Sequence, residues 1–490
     1  MIPRFGRADV LAVLLFLLVS VHYAVASITL AASAPLWMDE VLAVRTARLT
    51  DPAAIWHALV HGAEFSPPLY DMLLGWLHAL GVDTPIGWRL PSIVAGYAAA
   101  IALGSIAWRR YGRVPAALAA GIVLSSGLFA YAVQARPYAL LIAVFALALA
   151  IRERPAGAQP SPRRCALLAL LLVVMVALHF YALLLVAVLV AIELAERRPP
   201  SRGVLAASAV AAASIAAWLP ILVAAHHYSG ADTGAPGYYA RPTLDALLSS
   251  YALTLGWPAL LLLGLLIIVA LRRARALPVP VPALGLLAVP LVVFAFALLV
   301  SHSFTDRYVV SAALGAGLLA AWLVARLDEN GRAIGLVALA LLVPGNDAGR
   351  WGGEIAKRDR LDALDAVARV PGNAPIVTGS GLRFLEMAEN ARPEIARRLV
   401  YLDTPDIPSP DPTNRNQVLR WAAIDPRVRV AQARAFTCAH PALWLFAQPG
   451  PGGADTLPDW FARRFDMPDP PARRATVRPL RMPYCRGQYR

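Results

Sequence analysis

Long apolar runs fill the first two thirds of the chain and cease near Val343. They are Val10–Leu30, Leu90–Trp108, Pro115–Tyr131, Ala135–Ile151, Cys165–Leu178, Phe180–Leu194, Val204–Ala224, Leu247–Leu271, Val281–Val300, Tyr308–Ala325 and Ala333–Val343. About 20 apolar residues in a helix cross a hydrocarbon core roughly 30 Å thick, so the pattern predicts a polytopic α-helical membrane protein with about eleven helices. The first run follows Arg4 and Arg7 but has no convincing A-x-A cleavage site behind it, and it reads as a retained span. Polar material collects in a loop over residues 31–89 and in the tail after Gly345.

Composition agrees: 58% of the 490 residues are hydrophobic and 16% charged, which a water-soluble chain of this size does not sustain. The net charge of +14 would suggest nucleic acid in a soluble protein, so its placement decides its meaning. Arg109, Arg110 and Arg113, then Arg152, Arg154, Arg163 and Arg164, then Arg197, Arg198 and Arg202, then Arg272, Arg273 and Arg275, and last Arg326 and Arg332, fall in alternate loops. The positive-inside rule makes those loops cytoplasmic and removes any need for a nucleic-acid partner. In a bacterial inner membrane the amino terminus is then cytoplasmic, and loop 31–89 and the tail are periplasmic.

The chain divides into a membrane domain, 1–345, and a periplasmic tail, 346–490, read as a small α/β domain. Gly352–Val370, Leu382–Glu389 and Leu457–Phe465 predict helices; Pro375–Thr378, Arg398–Leu402 and Leu443–Ala447 predict strands. The segment Pro405–Asn416 reads as irregular. Cys438 and Cys485 lie in this oxidising compartment and are either a disulfide or two buried thiols, and Cys165 reads as packing.

Candidate chemistry gathers at the outer ends of the helices. Asp39 and Glu40 follow the first span; the pair can orient a hydroxyl and accept its proton, or Asp39 can cap the next helix with Glu40 in its first turn. Glu64-Phe65-Ser66-Pro67-Pro68-Leu69-Tyr70-Asp71 enters an amphipathic segment through a rigid double proline. Arg136, in Gln134-Ala135-Arg136-Pro137-Tyr138, is an outer-side arginine for which the positive-inside rule offers no reason, and either a lipid phosphate or snorkelling to head groups would satisfy it. Arg307 and Tyr308 open another span and can hold phosphate oxygens, with Asp306 setting the arginine's orientation, or Asp306 and Arg307 can neutralise each other. His179, Tyr181 and His226 interrupt apolar runs at outward turns, as sugar contacts, metal ligands or hydrogen-bonded structural residues. Trp37, Tyr70 and Tyr138 can stack on a sugar. No Gly-rich nucleotide cradle is present, so a lipid-phosphate sugar is the donor this geometry allows.

These motifs resemble the GT-C class of membrane glycosyltransferases, in particular the broad family of protein O-mannosyltransferases and the aminoarabinose transferases that modify lipid A. The resemblance covers about the first 344 residues. It rests on Asp39-Glu40, Ser66-Pro67-Pro68-Leu69-Tyr70, Arg89-Leu90-Pro91-Ser92, Gln134-Ala135-Arg136-Pro137-Tyr138, His179-Phe180-Tyr181 and Arg307-Tyr308. It implies inverting transfer of one sugar from a polyprenyl-phosphate donor to a lipid, polysaccharide or protein hydroxyl. Asp39 is then the general base, with Glu40 assisting it or binding acceptor or metal. Arg307, Tyr308 and Arg136 hold the donor phosphate. Trp37, Glu64, Tyr70, Tyr138, His179 and Tyr181 form the substrate region. A divalent metal in some relatives makes Glu64 with His226 the candidate ligand pair. Near Glu64 the chain departs from the aminoarabinose transferases, which carry a lysine and a different proline context there. The alternatives are a transporter for lipid-linked substrates, or a noncatalytic lipid-binding scaffold of the envelope.

Overall fold

A computed structural model describes residues 6–153, 160–197, 199–229, 240–273, 277–345, 347–407, 412–447 and 475–481, with Asp455, Leu457, Pro458, Trp460 and Phe461. The chain opens with α1 (Arg7–Ser33) and three short helices, α2 (Met38–Ala47), α3 (Pro52–Val60) and α4 (Leu69–Ala79). The bundle continues through α5 (Pro85–Tyr111), α6 (Arg113–Leu124), α7 (Leu128–Ala132), α8 (Tyr138–Arg152), α9 (Pro162–Leu178), α10 (Ala182–Glu196) and α11 (Arg202–Ala213). Then come α12 (Leu219–Ser229), α13 (Leu244–Leu255), α14 (Trp257–Arg273), α15 (Val281–Leu287), α16 (Val289–Phe296), α17 (Ala312–Ala325) and α18 (Asp328–Gly345).

The apolar runs fall on these helices, and among the described residues four continuous helical stretches are long and apolar enough to cross a membrane alone: 7–33, 85–111, 202–228 and 281–301. On α1, Val10, Leu14, Leu17, Val21 and Val25 are exposed along one stripe, while Ala12, Val19, Tyr23 and Ala26 are buried on the other side. That division suits a helix with lipid on one face and protein on the other. Small residues let the inner helices approach closely: Ala99, Ala100 and Ala107 of α5 and Ala119 and Ala120 of α6 are buried.

Two expected spans are broken. Residues 115–131 divide into α6 and α7, and residues 247–271 form α13 and α14, bent by 90°. Gly256 makes that bend with φ +76°, a conformation open to glycine at little cost. Gly127, at the start of α7, donates its N–H to the Thr254 carbonyl at 2.9 Å. A Cβ at Gly127 would stand 2.1 Å from the Leu253 carbonyl oxygen, so the two breaks interlock.

The tail begins with α19 (Asp347–Ala368), followed by α20 (Gly381–Asn390), α21 (Pro393–Ala396), α22 (Pro412–Ile424) and α23 (Ala433–Ala439). Among the described residues it holds one sheet of five strands, β1 (Ile376–Thr378), β2 (Leu399–Asp403), β3 (Val430–Gln432), β4 (Ala442–Ala447) and β5 (Thr476–Arg481), in the order β3-β2-β1-β4-β5. The first four pair in parallel and β5 closes the edge antiparallel to β4. The expected strands at 375, 398 and 443 are present; β3 and β5 are additional. The segment expected to be irregular contains the start of α22, and residues 408–411 lie outside the described set. So do Cys485 and most of the expected helix 457–465, while Cys165 is a free thiol.

The α/β unit sits on the segment 31–89. Val41, Leu42 and Val44 of α2 share one core with Phe384, Leu385 and Trp421. Polar bonds fix the docking: Asn390 exchanges two hydrogen bonds with Leu36, both at 2.8 Å, and the Trp421 indole donates to the Ala63 carbonyl at 3.1 Å. Arg45 bridges Glu389 and Asp425, each at 3.1 Å.

Candidate active site

The adjacent carboxylates behave differently because α2 starts at Met38, with Trp37 as its cap. Glu40 occupies the third helical position and its Oε2 accepts the Trp37 N–H at 3.2 Å, closing the helix start. Arg89 of α5 grips both Glu40 oxygens, Nε to Oε1 and one terminal nitrogen to Oε2, each at 2.7 Å. The Ala135 N–H adds a bond to Oε1 at 2.8 Å. Arg89 also donates to the Ala31, Ala34 and Pro35 carbonyls at the end of α1. Both side chains are 1% exposed. Glu40 was expected to assist catalysis or bind acceptor or metal; its oxygens are instead taken up in a buried joint between α1, α2 and α5.

Asp39 points the other way. Its Oδ2 accepts a bond from Arg307 at 2.6 Å, and the two side chains are 21% and 19% exposed, so this pair is reachable where Glu40 is not. The Asp39 carbonyl accepts from Arg136 at 3.0 Å. Arg307 stands on a 3₁₀ turn, Asp306–Tyr308, just before α17. Asp306 does not neutralise it: the Asp306 carboxylate accepts the Tyr131 hydroxyl at 2.6 Å.

Aromatic rings wall this pair. Tyr308 stacks on Tyr181 with centroids 4.0 Å apart and planes at 16°. His179 stands 5.5 Å from both Tyr138 and Tyr308, and Tyr131 meets Tyr138 edge-on at 5.5 Å. The Arg307 guanidinium lies 5.4 Å from the Tyr308 ring centre, and that of Arg136 lies 5.8 Å from Tyr138. His179 Nδ1 accepts the Tyr181 N–H at 3.2 Å. Burial, then the charges of Arg136 and Arg307, push the His179 pKa down to about 3, so the ring is neutral at physiological pH.

Behind Asp39 is a buried polar layer. Arg136 is hydrogen-bonded and ion-paired to Glu64, and its other terminal nitrogen approaches Ser66 Oγ at 3.4 Å. Its expected place on the donor phosphate is therefore modified: one terminal nitrogen serves Glu64 and the Asp39 backbone. Tyr70, expected in the substrate region, is 1% exposed and bonds Ser92 at 2.8 Å, whose hydroxyl donates to the Arg136 carbonyl at 2.9 Å. Burial raises the Glu64 carboxyl above its ordinary range despite Arg136. Burial, with the Glu64 charge second, raises Asp71 well above it.

The Glu64 and His226 pair does not fit a metal. Glu64 faces a guanidinium, and His226 is exposed on α12. Among the described residues no group of three or more His, Cys, Asp or Glu side chains is arranged to hold an ion. Trp37 also falls outside the aromatic wall, lining a separate cavity with Glu40, Arg89, Gln134 and Arg360.

No protein-family model and no curated protein matches the chain. Among solved structures it is similar to ArnT from Cupriavidus metallidurans in the apo state, at 15% identity and TM-score 0.59, covering 95% of this chain and 97% of that one. It is likewise similar to the same protein bound to undecaprenyl phosphate, at 14% identity and TM-score 0.58, covering 94% and 97%. The chain has the GT-C fold. The expected fold class, a polytopic helical membrane protein with a small carboxy-terminal α/β unit, is thereby met.

Sequence reasoning gave Arg89, Asp71 and Tyr131 no role in the site, and it expected Asp306 to orient or neutralise Arg307 where the structure bonds it to Tyr131. Arg89 carried the same signal as Arg136, an arginine at the outer end of an apolar helix. The Tyr131 to Asp306 bond joins positions 175 residues apart and left no local trace.

Two outcomes follow. Arg89→Met leaves Glu40 charged and buried, and should cost about 3–5 kcal/mol of stability, read as a lower Tm of the purified protein; Glu40→Leu combined with Arg89→Met should recover part of it, and an unchanged Tm in the single variant would refute the joint. For Asp71, folded and unfolded states are both protonated below about pH 4, and above that the unfolded state releases its proton first, so stability falls as pH rises towards the raised folded value. Asp71→Asn should flatten the fall of the Tm profile that begins above about pH 4, and an identical slope would show that Asp71 ionises normally.

Proposed function

We propose that the protein is an inverting glycosyltransferase. It moves one sugar from a polyprenyl-phosphate donor to an acceptor hydroxyl at the periplasmic face of the inner membrane. The observation that carries this reading is the Asp39 carboxylate held 2.6 Å from Arg307 beside the Tyr181 and Tyr308 stack. The fold shared with ArnT, a protein with a structure bound to undecaprenyl phosphate, supports a lipid-phosphate donor. The sidedness rests on the arginine-rich opposite ends of the helices, where Arg110, Arg113, Arg152 and Arg326 lie.

In this reading the acceptor oxygen attacks the anomeric carbon on the face opposite the phosphate. The new C–O bond forms as the bond between that carbon and the phosphate oxygen breaks, and its electron pair leaves with the polyprenyl phosphate. Asp39 takes the hydroxyl proton. A guanidinium carries five N–H donors in a fixed fork, so Arg307 can orient Asp39 and meet phosphate oxygens from one position. Its charge opposes the negative charge that grows on the leaving group, an interaction stronger in the transition state than in the ground state. Tyr308 borders the phosphate, and Tyr138, His179 and Tyr181 border the sugar. Arg136 is a positioning residue that acts through the Asp39 backbone.

The test is donor cleavage by purified protein in lipid, followed by mass spectrometry over a panel of polyprenyl-phosphate sugars with candidate acceptors. Asp39→Asn should reduce turnover by about 10²–10⁴-fold while leaving donor binding and Tm near wild type. Arg307→Ala should reduce turnover by about 10²–10³-fold and weaken donor binding as well. Equal turnover by wild type and Asp39→Asn would remove the base, and unchanged donor affinity in Arg307→Ala would remove the phosphate contact.

A further inference from the structure

Among the described residues, Trp37 Nε1, Gln134 Oε1 and Arg360 Nε are buried without a hydrogen-bond partner. Their residues line one cavity of about 270 Å³ at the outer end of α1, where Leu30 supplies an apolar wall. Neither Asp39 nor Arg307 lines it. Leaving a buried polar group unmatched costs about 1–3 kcal/mol, and three such groups around one cavity form a recognition surface rather than a packing defect.

The charges specify what would match it. Glu40 and Arg89 neutralise each other in their bidentate pair, so Arg360 gives the lining one net positive charge. Glu386, whose field reaches Arg360, has its oxygens engaged by the Met38 N–H at 3.1 Å and by Arg383 at 2.8 Å. A guanidinium and an indole N–H donate, and an amide oxygen accepts. That set suits an anion carried next to a hydroxyl group. The position suits a lipid: Leu30 and Ala34 end the helix whose opposite stripe is exposed along its length, and α19 brings Arg360 over that end.

We propose that this cavity is a second anion subsite that holds the phosphate of a net-anionic lipid head group at the outer interface, apart from the donor phosphate's place at Arg307. The inference concerns binding alone and stands whether or not the Asp39 chamber transfers a sugar.

The test titrates the full-length protein in detergent with short-chain phosphatidic acid, with phosphatidylcholine of equal chain length and with inorganic phosphate, reading bound lipid by native mass spectrometry. Wild type should bind phosphatidic acid in preference to phosphatidylcholine. Arg360→Gln should weaken that binding by about tenfold or more, as removal of a charge-assisted contact does. Gln134→Ala and Trp37→Phe should weaken it less, and they keep the test decisive if Arg360→Gln does not fold. Arg307→Ala removes phosphate binding at the donor place, and in that background the preference for phosphatidic acid, and its loss on adding Arg360→Gln, should persist. Unchanged binding in the three cavity variants, or equal binding of phosphatidylcholine, would overturn the subsite. Loss of that preference in Arg307→Ala would assign the lipid to the donor pocket instead, and inorganic phosphate binding as tightly as the lipid would overturn the lipid source in favour of a free anion.

Discussion

The buried pair of Glu40 and Arg89 sets the geometry on which the rest depends. A carboxylate and a guanidinium withdrawn from water are tolerated only when nearly every donor and acceptor is matched. Here Arg89 meets Glu40 in a fork and closes the carbonyl end of α1, while Glu40 also takes the Trp37 and Ala135 N–H groups. One joint therefore fixes three things at once: where α1 ends, where α2 begins, and how the chain before Arg136 lies against both. Because successive residues in a helix turn by about 100°, anchoring Glu40 inward sends its neighbour Asp39 towards Arg307.

A second layer holds the same place from behind. Arg136 bonds the Asp39 carbonyl and the Glu64 carboxylate, and its own carbonyl accepts from Ser92, which is bonded to Tyr70. From the outside, Glu386 of the α/β unit accepts the Met38 N–H, and Asn390 pins Leu36. The carboxylate proposed to move a proton thus sits on a short helix restrained by the membrane bundle on one side and by the tail on the other. Such restraint supplies the preorganisation that electrostatic catalysis requires.

The aromatic wall adds a surface of fixed shape around a charged centre. Tyr138, Tyr308 and the His179–Tyr181 turn come from three separate parts of the chain, and the neutral His179 ring avoids adding a third positive charge beside Arg136 and Arg307. The bend at Gly256 belongs to the same neighbourhood. The cavity at that bend is lined by Thr254 and Trp257 and also by Tyr131 and Asp306, the pair that keeps Asp306 away from Arg307.

Much of this was written in the order of residues alone. Apolar runs of span length, separated by arginines on alternate sides, determine a polytopic helical protein, because the bilayer demands satisfied backbone over about 20 residues. Charged residues at outer helix ends, Asp39, Arg136 and Arg307 among them, are costly unless paired, which is why they marked the site. What only the tertiary structure decided is the division of labour among them. Adjacent carboxylates look equivalent in sequence, yet Arg89, 49 positions from Glu40, buries one and leaves the other reachable. Tyr70 looked available for a sugar until packing placed it against Ser92. Beside the bend at Gly256, the Gly127 N–H bonds the Thr254 carbonyl, a contact that hydropathy does not record. Partners in space, not neighbours in the chain, determine whether a charge is structural or reactive, because burial and pairing set its energy.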